Sequence, residues 1–201
     1  MEINGIFAGL GNPGREYAGT RHNTGFIALQ YFLSELERGG ARIEELNGAK
    51  FKALLWRIRL NSGDEWLAAE PQTFMNLSGA AIQPIMAWYK IPAQRLIVLH
   101  DELDLPPGRM KLQKGGSPAG HNGLKSIQQM LGTTDFYRLR IGIGHPQDRE
   151  NVIPWVLGHF SPEEKEIFTS EVLPHAAEAL QACMELGPDL AMNTANRKKR
   201  G

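Results

Sequence analysis

The stretch that decides the fold is Ile3-Asn4-Gly5-Ile6-Phe7-Ala8-Gly9-Leu10-Gly11-Asn12-Pro13-Gly14-Arg15-Glu16-Tyr17-Ala18-Gly19-Thr20-Arg21-His22-Asn23-Thr24-Gly25. A short apolar run, Ile6 to Leu10, stops at a glycine-dense loop with Asn12, Pro13 and Gly14 at its tip. Runs of this length bounded by turn residues read as a buried strand. A loop leaving such a strand is a usual place for chemistry, because a rigid sheet holds polar groups still. His22 is the candidate actor on that loop, since imidazole gives and takes protons near neutral pH.

Gly9-Leu10-Gly11-Asn12-Pro13-Gly14 also matches the G-x-G-x-x-G dinucleotide fingerprint. That fingerprint needs a helix opening at once, with its N-terminal amides on the pyrophosphate. Pro13 instead biases Asn12 away from helical geometry, and helical periodicity starts only near Asn23. The acidic residue expected about 20 positions on, for the ribose, does not follow a strand. The residues therefore argue against a nicotinamide enzyme, and no cofactor is expected.

The chain has 201 residues, enough for one domain with a full core. No apolar run approaches the roughly 20 residues of a membrane span. The N-terminal residues lack a basic stretch ahead of an apolar one, so no secretory signal is read. A single cysteine, Cys183, provides no disulfide framework, and a reducing cytoplasm is the expectation. Net charge is zero, but unevenly spread. Arg109 to Arg149 holds seven Lys/Arg against Asp135 and Asp148, whereas Asn151 to Leu190 holds seven acids against Lys165. A basic middle suits a phosphate-bearing substrate.

Periodicity predicts a helix over 23–38, strands over 50–60 and 65–70 joined by Asn61-Ser62-Gly63-Asp64, and a helix entered from a loop over 71–79. Arg95 to His100 reads as the central strand and runs into Asp101. Short strands are expected at 110–113, 137–143 and 152–157, with a helix following the loop over 115–123. Ser161-Pro162-Glu163-Glu164 is a capping box opening a long helix towards Glu185. The expectation is a single α/β domain over residues 1–192, a twisted, mostly parallel mixed sheet with helices on both faces. Residues 193–201 read as a frayed basic tail.

Four polar groups fall at strand ends or on the loops after them: Asn12 with His22, Met75 with Asn76, Asp101, and His121 with Asn122. Their topological positions look equivalent, so they converge on one crevice. The set suits a water-activating hydrolase. His22 is the base, Asp101 orients it and stabilises its protonated form, and asparagine amides hold the substrate. Structural readings compete: Asn76 and Asn122 suit helix N-caps, Met75 suits a core, and Asp101 suits a turn. Other chemistries lack their signatures. There is no G-x-S-x-G, Cys183 lies among apolar helical neighbours, no His pair has metal-ligand spacing, and His121-Asn122 replaces the P-loop Lys-Ser/Thr.

Six motifs in order, Gly-Leu-Gly-Asn-Pro-Gly (9–14), Arg-His-Asn (21–23), Thr-Phe-Met-Asn-Leu-Ser-Gly (73–79), His-Asp-Glu-Leu-Asp-Leu-Pro-Pro-Gly (100–108), Gly-His-Asn-Gly-Leu-Lys (120–125) and Arg-Leu-Arg-Ile-Gly-Ile-Gly-His-Pro (138–146), resemble the bacterial peptidyl-tRNA hydrolase family. The resemblance implies a phosphorylase/hydrolase-like fold and cleavage of the ester between a peptide and the tRNA 3′ ribose, without metal or cofactor. It implies His22 as proton acceptor and Asp101 as its stabiliser. Tyr17, Phe74, Asn76 and Asn122 correspond to contacts with the tRNA end, joined here by Met75 and His121. Asn12 corresponds to the position that separates N-blocked from free aminoacyl esters. Lys111 and Arg140, with Lys114 nearby, correspond to basic positions for the acceptor-stem phosphate. The implied partner is peptidyl-tRNA, handled by a monomer in the cytoplasm. Gln113 stands where members often carry a second lysine, and Ser117-Pro118-Ala119 where glycine is usual. The alternative within the fold is an RNA-binding protein without hydrolysis, similar to plant organellar splicing relatives.

Overall fold

The computed structural model describes residues 2–146 and 148–196. Its frame is a seven-stranded sheet in the order β2-β3-β4-β1-β5-β7-β6. The opening stretch forms the middle strand, β1 (Ile3–Gly9), parallel to β4 (Glu65–Pro71) on one side and β5 (Leu96–Glu102) on the other. Strand β7 (Tyr137–Gly142) continues the parallel centre. Antiparallel strands close both edges: β3 (Ala53–Arg59) with β2 (Arg42–Leu46), and β6 (Met110–Lys114). Polar β2, at one edge, was not anticipated.

Because side chains alternate along a strand, β1 buries Phe7 on one face and Ile6 and Ala8 on the other. The Phe7 face packs under α1 (Thr24–Arg38), α6 (Leu173–Leu186) and α7 (Pro188–Ala195). The other face packs under α2 (Ser78–Tyr89) and α3 (Asn122–Leu131). The expected layers and the hairpin β3–β4 are thus present.

The segment expected as a strand over 152–157 is instead α4 (Val152–Leu157). Pro154 explains the difference: it cannot donate to a sheet ladder, yet in a helix's first turn no N–H is needed. The long acidic helix is α5 (Pro162–Ile167), a π-turn at Phe168–Val172, and α6. Its capping box forms as read, with Ser161 Oγ accepting from Glu164 N and Glu164 Oε2 accepting from Ser161 N. Helix α7 runs past the expected boundary at residue 192. Asn196 then uses its side-chain amide as a strand would, pairing with Leu112 N at 2.8 Å and Leu112 O at 2.9 Å on the edge of β6. The basic run 197–200 lies outside the described residues.

Candidate active site

The carboxyl ends of β1, β4 and β5 open at one end of the sheet, and the site is built there. His22 lies in a single 3₁₀ turn, Arg21–Asn23, directly before α1. Gly25 lets that turn sit on the sheet: a Cβ there would lie 2.3 Å from Leu99 O and 2.5 Å from Leu10 N. Buried Arg21 ties the turn to the acidic helical region. Its guanidinium stacks 4.0 Å over Trp155 of α4 and pairs with Glu164 of α5 at 2.7 Å.

Asp101, near the carboxyl end of β5, is buried and receives two imidazoles. His22 Nδ1 lies 3.0 Å from Oδ1 and 3.1 Å from Oδ2, and His121 Nε2 lies 2.9 Å from Oδ1. The network fixes the tautomers. His121 caps α3, its Nδ1 accepting from Leu124 N at 3.3 Å, so its proton sits on Nε2 and is donated to Asp101. The ionised carboxylate accepts from His22 Nδ1–H as well. His22 Nε2 is then the lone-pair nitrogen, the one that faces away from Asp101.

Charge follows geometry. Burial works against ionisation of Asp101, but the adjacent imidazoles outweigh it and hold the carboxyl far below the usual carboxylate range. Burial lowers the His22 pKa, and the Asp101 charge and hydrogen bond more than restore it, leaving it above the ordinary value. His100, edge-to-face with His121 at 5.0 Å, is pushed down to about 3, chiefly by burial. It stays neutral.

Asn12 is clamped from both sides. Asn23 Oδ1 accepts from Asn12 N, and Asn23 Nδ2 donates to Asn12 O, both at 2.9 Å. Asn12 Oδ1 accepts from Met75 N at 2.8 Å, which leaves its Nδ2 hydrogens as the outward donors. The side chain of Met75 is buried in the α2–α3 core, so only its backbone enters the site. Tyr17 and Phe74 make an edge-to-face pair at 6.5 Å on the rim, with Phe74 58% exposed. Asn76 and Asn122 are exposed on the same rim-bearing segments, and neither caps a helix; the α3 cap is His121. His22, Asp101, His121, Asn122 and α4 line a cleft of 320 Å³, whose outer wall carries the exposed Ile153.

One expectation about topology fails. β6 runs antiparallel to β7, so its carboxyl end, at Lys114 opposite Tyr137, lies at the far end of the sheet from Asp101. His121 reaches the site because residues 115–121 retrace the sheet. Arg138 of β7 holds that climb, Nη1 donating to Ser117 O at 2.8 Å.

A family model described as peptidyl-tRNA hydrolase matches residues 6–201. The chain belongs to the peptidyl-tRNA hydrolase family. A peptidyl-tRNA hydrolase of Desulfovibrio desulfuricans is 50% identical over 201 residues, covering 100% of this chain and 87% of that protein. One from Nitratidesulfovibrio vulgaris (strain Miyazaki F) is 47% identical, covering 99% of each. The crystal structure of peptidyl-tRNA hydrolase from Acinetobacter baumannii, 34% identical, superposes with a TM-score of 0.89 over 99% of this chain and 98% of that one. The chain is accordingly a hydrolase of peptidyl-tRNA.

Within this hydrolase fold the basic residues divide. Lys111 is exposed directly opposite Arg140 in the β6–β7 ladder. Arg140 is already held, Nε to Glu102 at 2.8 Å and Nη1 to Gln113 Oε1 at 2.8 Å. Gln113, the departure from the family pattern, thus fixes a cation rather than adding one. Lys114 turns to the opposite face and pairs with Asp135 at 3.2 Å, away from Lys111 and Arg140.

Sequence reasoning missed Asn23, Arg21, Arg138 and the structural part of His121; adjacency of Asn23 and Arg21 to His22 was the available signal. It also missed that His22, Asp101 and His121 bring ligand atoms within 4.8 Å of one another, a donor set able to hold a metal. Three separate segments supply it, so residue spacing cannot reveal it. Here these atoms are spent on the shared hydrogen bonds.

Proposed function

We propose that His22 Nε2 is the general base that activates water against the ester carbonyl of peptidyl-tRNA. Its support is the single observation that Asp101 accepts from both imidazoles, which pins the His22 proton on Nδ1. In the ester cleavage, water gives a proton to Nε2, its oxygen adds to the carbonyl, and the ribose oxygen leaves and takes a proton back. Asp101 offsets the charge of the transient imidazolium. Asn12 Nδ2, free as a donor, polarises the carbonyl or holds the last peptide carbonyl.

Tyr17 and Phe74 offer stacking faces for the unpaired tRNA end, with Asn76 and Asn122 as amide contacts on the rim. Lys111 and Arg140 meet the acceptor-stem phosphate, and Lys114 contributes less because it faces away. The enzyme works as a monomer in the cytoplasm. Among the described residues no helix is long and apolar enough to cross a membrane. A single domain that runs through α7 and Asn196, past the expected boundary at residue 192, suffices for these roles, with the basic run beyond it dispensable for chemistry. The test is release of N-acetyl-aminoacyl groups from tRNA by wild type and His22→Ala, with tRNA binding measured in parallel. Cleavage lost with binding kept within a few-fold supports the base; cleavage kept rejects it.

A further inference from the structure

Beside the Asn12 loop, a second cleft of 260 Å³ is lined by Asn12, Asn23, Gln30, Leu54, Glu70 and Gln72. Glu70 is its unusual member. Alternation along β4 turns it to the α1 face, where it is 2% exposed. Gln30 Nε2 donates to Oε2 at 3.2 Å, but no protein donor reaches Oε1, and no ion pair engages the carboxyl among the described residues. From the packed elements, α1 presents Gln30 and the aliphatic Ile27, β3 presents Leu54, and the Asn12 loop presents amide and glycine. None of these brings a charge.

A buried carboxylate without a cation is costly, because lost hydration is not replaced. An acceptor left open in the wall of a cleft needs a donor from outside. The lining has amides near the carboxyl and an apolar side of Phe26, Ile27 and Leu54. Such a wall suits a long aliphatic stem that ends in a cation. Asn12 and Asn23 border the cleft; Asn23 follows His22 in the chain and holds Asn12 by two hydrogen bonds, so the cleft adjoins the candidate active site. We propose that this cleft is a peptide subsite that takes a basic side chain, lysine or arginine, with its cation on Glu70 Oε1. The subsite rests on the peptidyl-tRNA reading of the active site. Burial pushes the Glu70 carboxyl up to about 7. A bound cation restores the ionised form, and its binding releases a proton as pH falls towards that value.

The experiment uses the full chain and N-acetylated dipeptidyl- and tripeptidyl-tRNAs. Lysine or norleucine, alike in stem but not in charge, stands one or two residues before the ester-bearing one. At pH 8, wild type should favour lysine at one of the two positions by about tenfold in kcat/KM, and the preference should shrink below pH 6. Glu70→Gln, nearly isosteric, should bring the paired substrates to equal kcat/KM. Equal rates in wild type at both positions, or a lysine preference that survives Glu70→Gln, would overturn the subsite. Cleavage of the norleucyl substrates reports on the peptidyl-tRNA reading separately; if neither substrate is cleaved, that reading fails and the subsite falls with it.

Discussion

Replacing Asp101 by asparagine tests the core of the site, because it removes a charge without changing shape. In wild type, His22 Nδ1 lies 3.0 Å from the carboxylate. At an effective dielectric near 20, a full charge pair at that distance interacts by about 5 kcal/mol. Burial of the imidazolium acts in both proteins, so loss of the charge should lower the His22 pKa from its raised wild-type position. The alkaline-rising limb of kcat/KM therefore moves to lower pH. The sign is set by the direction of the shift: the carboxylate raises the base's pKa, and its removal lowers it. Rate falls for a second reason. The amide of the Asp101→Asn variant offers one acceptor oxygen where two imidazole N–H groups compete. His121 is tied to its tautomer by the Leu124 cap, so it keeps the oxygen, and the amide NH₂ turns to His22. That favours the lone pair on Nδ1 and a proton on Nε2, the wrong tautomer for a base. The cost should be about 10²- to 10⁴-fold in kcat across the pH range. The assay is N-acetyl-aminoacyl-tRNA cleavage from pH 5 to 9. A limb that stays in place, or a loss below tenfold, would refute both the charge and the tautomer argument.

Other changes should have separable signatures. His121→Ala removes the α3 cap and one donor to Asp101; thermal midpoint should drop by a few degrees, for about 1 kcal/mol of capping, and kcat should fall by about tenfold or more, which a purely structural role would not produce. Asn12→Asp puts an anion where Nδ2 now donates, so the kcat/KM ratio for N-acetyl-aminoacyl-tRNA over the free aminoacyl ester should narrow; an equal fall in both assigns discrimination elsewhere. KM for peptidyl-tRNA should rise with salt on a shallow log–log slope of order 1 to 3, and Lys111→Ala should lower that slope while Lys114→Ala should not. Glu70 titrates up near 7 in the fold and near 4.5 when unfolded, so the native state holds the extra proton and stability falls as pH rises between those values. Glu70→Gln should remove a loss of about 3 kcal/mol between pH 4.5 and 8, read from urea unfolding; no difference between the two proteins' pH profiles would show that Glu70 is not strained by burial.

The legible parts of this protein were those in which one local signal pointed one way. The apolar run 6–10 has no other reading than a buried strand, and the capping box at Ser161 fixes its helix start to the residue. Val152-Ile153-Pro154-Trp155-Val156-Leu157 carries two signals: β-branched residues speak for a strand, whereas Pro154 speaks for a first helical turn. The tertiary partner decides, since Arg21 takes Trp155 under its guanidinium and joins α4 to the His22 turn. β2 hid for the opposite reason. As an edge strand it shows polar Arg42, Glu44 and Glu45 and has no continuous apolar face to declare it.

The same distinction separates the residues of the site. His22 and Asp101 could be named because each borders a recognisable element, His22 just before α1 and Asp101 near the carboxyl end of β5, and the sheet brings those two places together. His121 could be placed nearby, but its share in Asp101 depends on the climb of residues 115–121, which Arg138 enforces from across the ladder. No pattern in the chain announces that contact. Glu70 is the sharpest case: on the sequence it is one charge in a strand, and only burial beside Asn12 with one oxygen unmet makes it chemically conspicuous. Chemistry that rests on a strand end is readable from spacing, and chemistry that rests on the return path of a loop is not. That is why the base and its carboxylate were legible while the group that sets their tautomer was not. A fold that lends one carboxylate to two imidazoles needs the second to be immobile, and a helix cap, fixed by a backbone N–H rather than by another titrating group, holds it without making the site depend on a further proton.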